Sequence, residues 1–367
     1  MGTDKYFNET IKIQTIIKHY ILRSCLETSL SIANKNKMHN KNDRKYVFID
    51  CYAGAGMING EYQGSPLLAC EVFNKTLQQL DKIKEFKLIF FETNKEHYRL
   101  LSDNIKKILS DMMLPLEIRN NSWTDNIDTY LKKFKEDYGF IFIDPYANEN
   151  INLELLEKII KDNYFKEILI FLNIQALRRL VGKNIDNTLK ISKEDIQNSN
   201  IENEVYKKFR KLGKYFVLFA SFPTERQQTM INSDYFGLIY MTNSANVADK
   251  FLEAYKQIIE NFKDTQNVLF GNRDIKEEII EILKTNKKLN LLTLVKILQE
   301  KYLSWKKTLK IEEIPTLKNI LKSLNDLSKE KRIQIDSPFL HKKTKLTLTQ
   351  LAIKTNNNLK QTIIQIR

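Results

Sequence analysis

Three apolar runs each stop abruptly at an acid: Tyr46-Val47-Phe48-Ile49-Asp50, Leu88-Ile89-Phe90-Phe91-Glu92 and Phe140-Ile141-Phe142-Ile143-Asp144. Runs this short that are apolar throughout, with no alternation, suit strands buried on both faces of a parallel sheet. The terminal acid marks where each strand leaves the core. In an open α/β sheet, ligands bind outside the carboxyl ends of the strands, near the topological switch point. This one pattern therefore restricts the fold class and selects the sheet edge on which a site would be built.

The segments between these runs read as helices. Thr10 to Leu30 has helical periodicity, with Ile13, Ile16, Ile17, Tyr20 and Ile21 on one face. Ser65-Pro66 looks like an N-cap followed by proline at the first helical position, opening a helix to about Leu80. Asn94–Leu109, Asp125–Glu136 and Leu153–Asp162 are further helices. Leu116–Ser122 is a weaker strand and Glu167–Leu172 a buried one. Tyr215–Phe222 and Phe236–Thr242 are strands joined only by a loop, so they pair antiparallel. Strand–helix alternation ending in such a hairpin predicts a Rossmann-like methyltransferase sheet, parallel with an antiparallel closing hairpin.

A helix over Asn246–Phe262 closes this first domain, placed at residues 1–268. After the break at Phe270-Gly271-Asn272 come helices near Asp274–Lys284, Leu291–Tyr302 and Pro315–Lys329. Short strands follow at Ile333–Asp336 and Lys345–Thr349. Three helices and a hairpin predict a C-terminal winged-helix domain over residues 269–367.

The first acidic run continues into Cys51-Tyr52-Ala53-Gly54-Ala55-Gly56. Glycine takes positive φ and removes the Cβ that keeps a ligand off the backbone. No helix begins directly after this turn, which argues against a pyrophosphate cradle at a helix N-terminus. An adenosyl cofactor, S-adenosylmethionine, fits better, with Asp50, Ala53, Gly54 and Gly56 beneath it. Glu92 could accept both ribose hydroxyls; an exposed strand end is the plainer role. Trp123, after the third strand, could stack on the adenine or belong to the core.

Asp144-Pro145-Tyr146 is the candidate catalytic element. Methylation of an exocyclic base amine needs an acceptor for its N–H and a ring to stack on the base. Asp144 and the Pro145 carbonyl would be acceptors and Tyr146 the platform. The usual amino-methylase motif has a second proline before the aromatic residue, and this chain lacks it. A cytosine-carbon methylase would need Pro-Cys at this place. A nuclease using Asp50, Glu92 and Asp144 with a metal finds no His or Lys companion in the pattern. Arg178 and Arg179 could meet phosphate or lie on a helix surface.

The charge is placed unevenly. Residues 270–367 hold 21 of the 59 Lys and Arg but only 10 of the 45 Asp and Glu. A basic module suggests a polyanionic partner; a Lys-rich composition bias would look the same. On the winged helix, Lys318 and Lys322 fall on the recognition helix, and Lys342, Lys343 and Lys345 on the wing. Three scattered cysteines form no disulfide framework and no zinc pattern, which fits a reducing, cytoplasmic setting. No apolar run is long enough to span a membrane.

Residues 5–260 resemble the three-Cys-motif partner family. The resemblance is carried by Thr10-Ile11-Lys12, by Phe48 through Gly56, by Gly64-Ser65-Pro66-Leu67, by Phe91-Glu92, by Phe142 through Tyr146, and by Leu172-Asn173 with Arg178. It implies a methyltransferase-like Rossmann fold and a companion protein rich in cysteine motifs. Ala55 stands where the family's pattern suggests proline. Two functions follow as expectations. One is S-adenosylmethionine-dependent methyl transfer to nucleic acid, with a base amine as a candidate target. The other is a non-catalytic nucleic-acid-binding or nucleotide-sensing scaffold, working with a cysteine-rich partner, with defence as a candidate setting.

Overall fold

The computed structural model describes residues 13–35, 44–58, 60, 62–77, 83–108, 114–133, 138–145, 151–161, 167–183, 189–197, 201–213, 216–223, 235–261, 275–303, 317–336 and 363–366. The chain forms two compact units, Met1–Asn243 and Ser244–Arg367. The helix expected to close the first domain is thus grouped with the second unit, ahead of the boundary placed at 268.

The first unit runs α1 (Ile13–Lys35), β1 (Arg44–Asp50), β2 (Met57–Ile58), β3 (Tyr62–Gln63), α2 (Ser65–Leu77), β4 (Ile83–Phe91), α3 (Lys95–Ile108) and β5 (Leu116–Arg119). It continues with α4 (Trp123–Lys133), β6 (Tyr138–Ile143), α5 (Leu153–Lys161), β7 (Glu167–Asn173), α6 (Ile174–Gly182), α7 (Lys193–Gln197), α8 (Ile201–Arg210), β8 (Phe216–Pro223) and β9 (Tyr235–Thr242). Seven strands form one sheet in the order β5-β4-β1-β6-β7-β9-β8. β1 pairs in parallel with both β4 and β6, and β9 pairs antiparallel with β7 and β8. This is the expected parallel sheet with its closing hairpin, the strand arrangement of Rossmann-like methyltransferases.

The apolar runs form the strands because both faces are covered. Phe48, Phe90 and Phe140 on neighbouring strands and Phe73 on α2 are fully buried and pack ring against ring. The order reverses at β1, whose neighbours come later in the chain on both sides. The two ladders extend past the strand end: Cys51 N–H donates to Phe142 O at 2.9 Å and Ala53 N–H to Phe91 O at 2.9 Å. The turn after β1 is therefore wedged at the switch point.

α1 lies on the sheet face, antiparallel to the strands. Near its start Lys18 meets Asp144, just past β6; farther along, Ser29 Oγ donates to Glu167 Oε2, at the start of β7, at 2.9 Å. Tyr46 Oη donates to the same Ser29 hydroxyl at 2.7 Å, which satisfies three buried polar groups together.

The second unit holds α9 (Ala245–Asn261), α10 (Ile275–Asn286), β10 (Lys288–Asn290), α11 (Leu291–Leu303), α12 (Leu317–Lys329), β11 (Ile333–Asp336) and β12 (Ile363–Ile366). Its strands make an antiparallel sheet in the order β10-β12-β11. The strand expected at Lys345–Thr349 lies outside the described residues. The observed partner of β11 is Ile363–Ile366, where three isoleucines suit a pleated, half-buried strand. Ile279, Leu283, Leu324, Leu327, Ile333 and Ile364 are buried in this unit. Among the described residues, no helix is long and apolar enough to cross a membrane.

Candidate functional site

The carboxyl ends of β1, β4 and β6 present Asp50, Glu92 and Asp144. Gly54 and Gly56 both adopt left-handed backbone, with φ of 64° and 80°. They differ in what surrounds them. A Cβ built on Gly54 meets nothing within 4 Å, whereas one on Gly56 would lie 2.8 Å from Leu101 Cδ1. Gly54 thus borders open space and Gly56 packs against α3. Asn104 of α3 fixes the turn by donating from Nδ2 to Ala55 O at 2.9 Å. Gly64 closes it from the far side: its N–H donates to Gly56 O at 2.7 Å.

Glu92 grips the same turn. Its Oε2 accepts from Gly54 N–H at 2.9 Å and its Oε1 from Asn94 N–H at 2.7 Å. Each carboxylate oxygen has two lone pairs, so both retain capacity for another donor. Asn94 starts α3 by accepting from Glu96 and His97 N–H at its Oδ1, as a capping side chain does.

Asp50 is wholly buried under the turn. Tyr52 N–H donates to its Oδ1 at 3.1 Å and Ser65 Oγ to its Oδ2 at 2.6 Å. Ser65, expected as an N-cap, thus directs its hydroxyl at Asp50. Burial pushes the Asp50 carboxyl up from 3.8 to about 7 against these two hydrogen bonds, and the charges of Asp144 and Glu92 add to the rise. Cys51 is buried beside it, and burial holds its thiol well above the usual range, as befits a packing residue.

Trp123 is 1% exposed, and its Nε1–H donates to Tyr52 Oη at 3.1 Å. It holds the tyrosine that follows Cys51. Pro145 is buried and Asp144 is half-buried; Tyr146 lies outside the described residues. Arg178 pairs with Glu202 of α8 at 3.1 Å, so its charge is engaged within the unit. Lys322 is exposed on α12. Lys342, Lys343 and Lys345 lie outside the described residues, as does the side chain of Lys318.

Two site residues come from α1, where the sequence showed only an apolar periodicity. Lys18 Nζ donates to both Asp144 oxygens, at 2.7 and 2.9 Å, and stands 4.3 Å from the ring centroid of Phe171 and 5.2 Å from that of Phe236. The adjacent His19 stacks on Tyr62 of β3, with centroids 5.4 Å apart. His19 is buried and its Nδ1 has no hydrogen-bond partner. Burial, reinforced by Lys18 and Arg23, drives its pKa down from 6.5 to about 4. Among the described residues, no group of three His, Cys, Asp or Glu is placed to hold a metal ion.

No family model matches the chain, and no curated protein does. Solved structures similar to it include a METTL16 methyltransferase domain, at 15% identity and TM-score 0.33, covering 62% of this chain and 82% of that one. A human methyltransferase 10 domain-containing protein is similar at 14% identity and TM-score 0.31, covering 60% and 82%. The small RNA methyltransferase HEN1 is similar at 10% identity and TM-score 0.35, covering 65% of this chain but 27% of its own. The fold assignment rests on strand order and pairing, which these likenesses do not alter.

Proposed function

We propose that the chain is an S-adenosylmethionine-dependent methyltransferase acting on nucleic acid. One observation carries this: a positive-φ glycine turn with open space at Gly54, held by the carboxylate ending β4, at the switch point of a methyltransferase-ordered sheet. The residues present fit the cofactor. Gly54 and Ala53 would lie against it, and Glu92 would accept ribose hydroxyls with its remaining lone pairs. Asp50 and Gly56 would hold the turn, while Trp123 would support the adenine end through Tyr52. Bound S-adenosylmethionine supplies a methyl group on a cationic sulfur. The chain's own part is to orient the acceptor, with Asp144 and the Pro145 carbonyl receiving an N–H and Tyr146 beneath the base.

The second unit supports the nucleic-acid half of this reading. Its order α10-β10-α11-α12-β11-β12, with β12 between β10 and β11, supports reading it as a winged helix. α12 would be its recognition helix, placing Lys318 and Lys322 near phosphates, and Lys342, Lys343 and Lys345 would extend the contact from the wing. The basic excess of residues 270–367 agrees.

A second reading is favoured by one feature: Lys18 already occupies both oxygens of Asp144. In that reading the chain is a scaffold that binds the nucleotide and nucleic acid without transfer, beside a cysteine-rich partner of the kind the family resemblance implies.

Calorimetry with S-adenosylmethionine, on wild type and Glu92→Ala, is the test. Wild type is expected to bind, with affinity falling roughly tenfold or more in the variant. No binding by wild type refutes the proposal. Binding without methyl transfer to RNA or DNA favours the scaffold.

A further inference from the structure

Lys18 stands in an unusual place for a helix-borne lysine. Its side chain is 16% exposed and that of Asp144 is 25% exposed. Phe171 and Phe236 share the sheet face under α1, because Phe171 lies opposite Leu238 and Asn173 opposite Phe236 in the antiparallel β7–β9 ladder. The ammonium therefore meets a carboxylate through two hydrogen bonds and the faces of two aromatic rings. A carboxylate and two ring faces that converge on one point make a receptor for an N–H donor, whether an ammonium or a base amine. Here the chain fills it with its own side chain.

We propose that Lys18 gates the acceptor side of the site: its ammonium holds the position an exocyclic base amine takes on Asp144, and the substrate binds there by displacing it. This rests on the nucleic-acid reading above and names its substrate class, a base bearing an exocyclic amino group. Lysine suits a gate. Its charge is a compact point on a flexible four-carbon stem, which can swing to water without moving the helix. The stem spans the distance from α1, so the gate closes when no base is present. Lys18 acts through Asp144 and is in this sense a specificity-determining residue.

The probes are two single-stranded oligonucleotides, identical except that one adenine in the first is unsubstituted purine in the second. Wild type is expected to bind the two within about twofold, since displacing Lys18 offsets the new N–H contact. Lys18→Met keeps the stem and frees Asp144, so it should prefer the adenine probe by roughly tenfold or more. Adding Asp144→Ala should abolish that preference. In wild type, trace acetylation read by mass spectrometry should label Lys18 faster with the adenine probe than with the purine probe, a readout that needs no variant. Lys18→Leu, which likewise carries no donor, is the second variant should Lys18→Met fold poorly by circular dichroism. A folded Lys18→Met or Lys18→Leu protein with no adenine preference, or Lys18 labelling indifferent to the adenine probe, overturns the gate while leaving the nucleic-acid reading intact. Failure of every protein to bind either probe removes that reading and the gate with it.

Discussion

Asp50→Asn separates the electrostatic cost of the site from its architecture. The Asp50 carboxyl is wholly buried and pushed up from 3.8 to about 7. Between these values the unfolded chain has lost a proton that the folded chain keeps. The unfolded state binds fewer protons, so stability falls as pH rises across this window and levels off above about 7. At ~1.36 kcal/mol per pH unit, the span corresponds to roughly 4 kcal/mol. Asparagine removes the ionisation and nearly preserves the shape. Its oxygen still accepts from Tyr52 N–H, and the Ser65 hydroxyl can turn to accept from its amide. Urea unfolding of both proteins, at steps from about pH 4 to about pH 8, reads the difference directly. The stability of the variant minus that of wild type is expected to grow by roughly 4 kcal/mol over the series. Other titrating groups cancel in this difference. A gap that stays constant with pH would show that Asp50 ionises in the fold as it does in water, and would refute the reasoning.

His19 sets the opposite slope. Its folded pKa of about 4 lies below the ordinary 6.5, so stability should fall as pH drops through that interval, and His19→Gln should lack this loss in thermal melts at matched pH. The two glycines should part company. Gly56→Ala is expected to lower the urea midpoint more than Gly54→Ala, because both pay for positive φ, about 1–2 kcal/mol, while only Gly56 meets Leu101. Calorimetry should show the reverse emphasis, with Gly54→Ala losing S-adenosylmethionine while remaining folded. In the second unit, Lys322→Ala should reduce the dependence of log affinity on log salt by about 0.9 for a duplex; an unchanged slope would remove Lys322 from the phosphate contacts.

The sheet was legible because its signals are local. YVFID, LIFFE and FIFID carry their burial in their own composition, and the link between β8 and β9, with no helical pattern of its own, favours an antiparallel pair. β11 was legible for the same reason, and its partner was not. Ile363–Ile366 lies far along the chain from β11, beyond the nearer stretch Lys345–Thr349 that also reads as a strand. The β2–β3 hairpin, two residues on each side, is shorter still. Ser65 shows the limit of reading a motif by its neighbours. Ser-Pro at a helix start is a capping signal, yet a buried carboxylate fifteen residues earlier claims the hydroxyl.

The site divides along the same line. Its acids and glycines sit on strand ends, where the chain itself announces the edge of the core, so Asp50, Gly54, Glu92 and Asp144 could be named in advance. Lys18 could not. It lies off the stripe of Ile13, Ile16, Ile17, Tyr20 and Ile21 read from the sequence, on a flank where a lysine normally reaches water, whereas in the structure Ile16 and Tyr20 of that stripe are the exposed ones. Its role appears only when α1 is laid antiparallel on the sheet, with Ser29 and Tyr46 fixing one end of the helix by a buried hydrogen-bond chain to Glu167. That anchorage sets the register of the helix on the sheet. At 1.5 Å per residue, the eleven residues from Ser29 back to Lys18 cover about 16 Å, close to the ~17–20 Å length of a typical strand. The same span that ties α1 to the start of β7 therefore delivers the Lys18 ammonium to the residue just past the end of β6. A polar chain at one edge of the sheet thus positions the charge that meets Asp144 at the other.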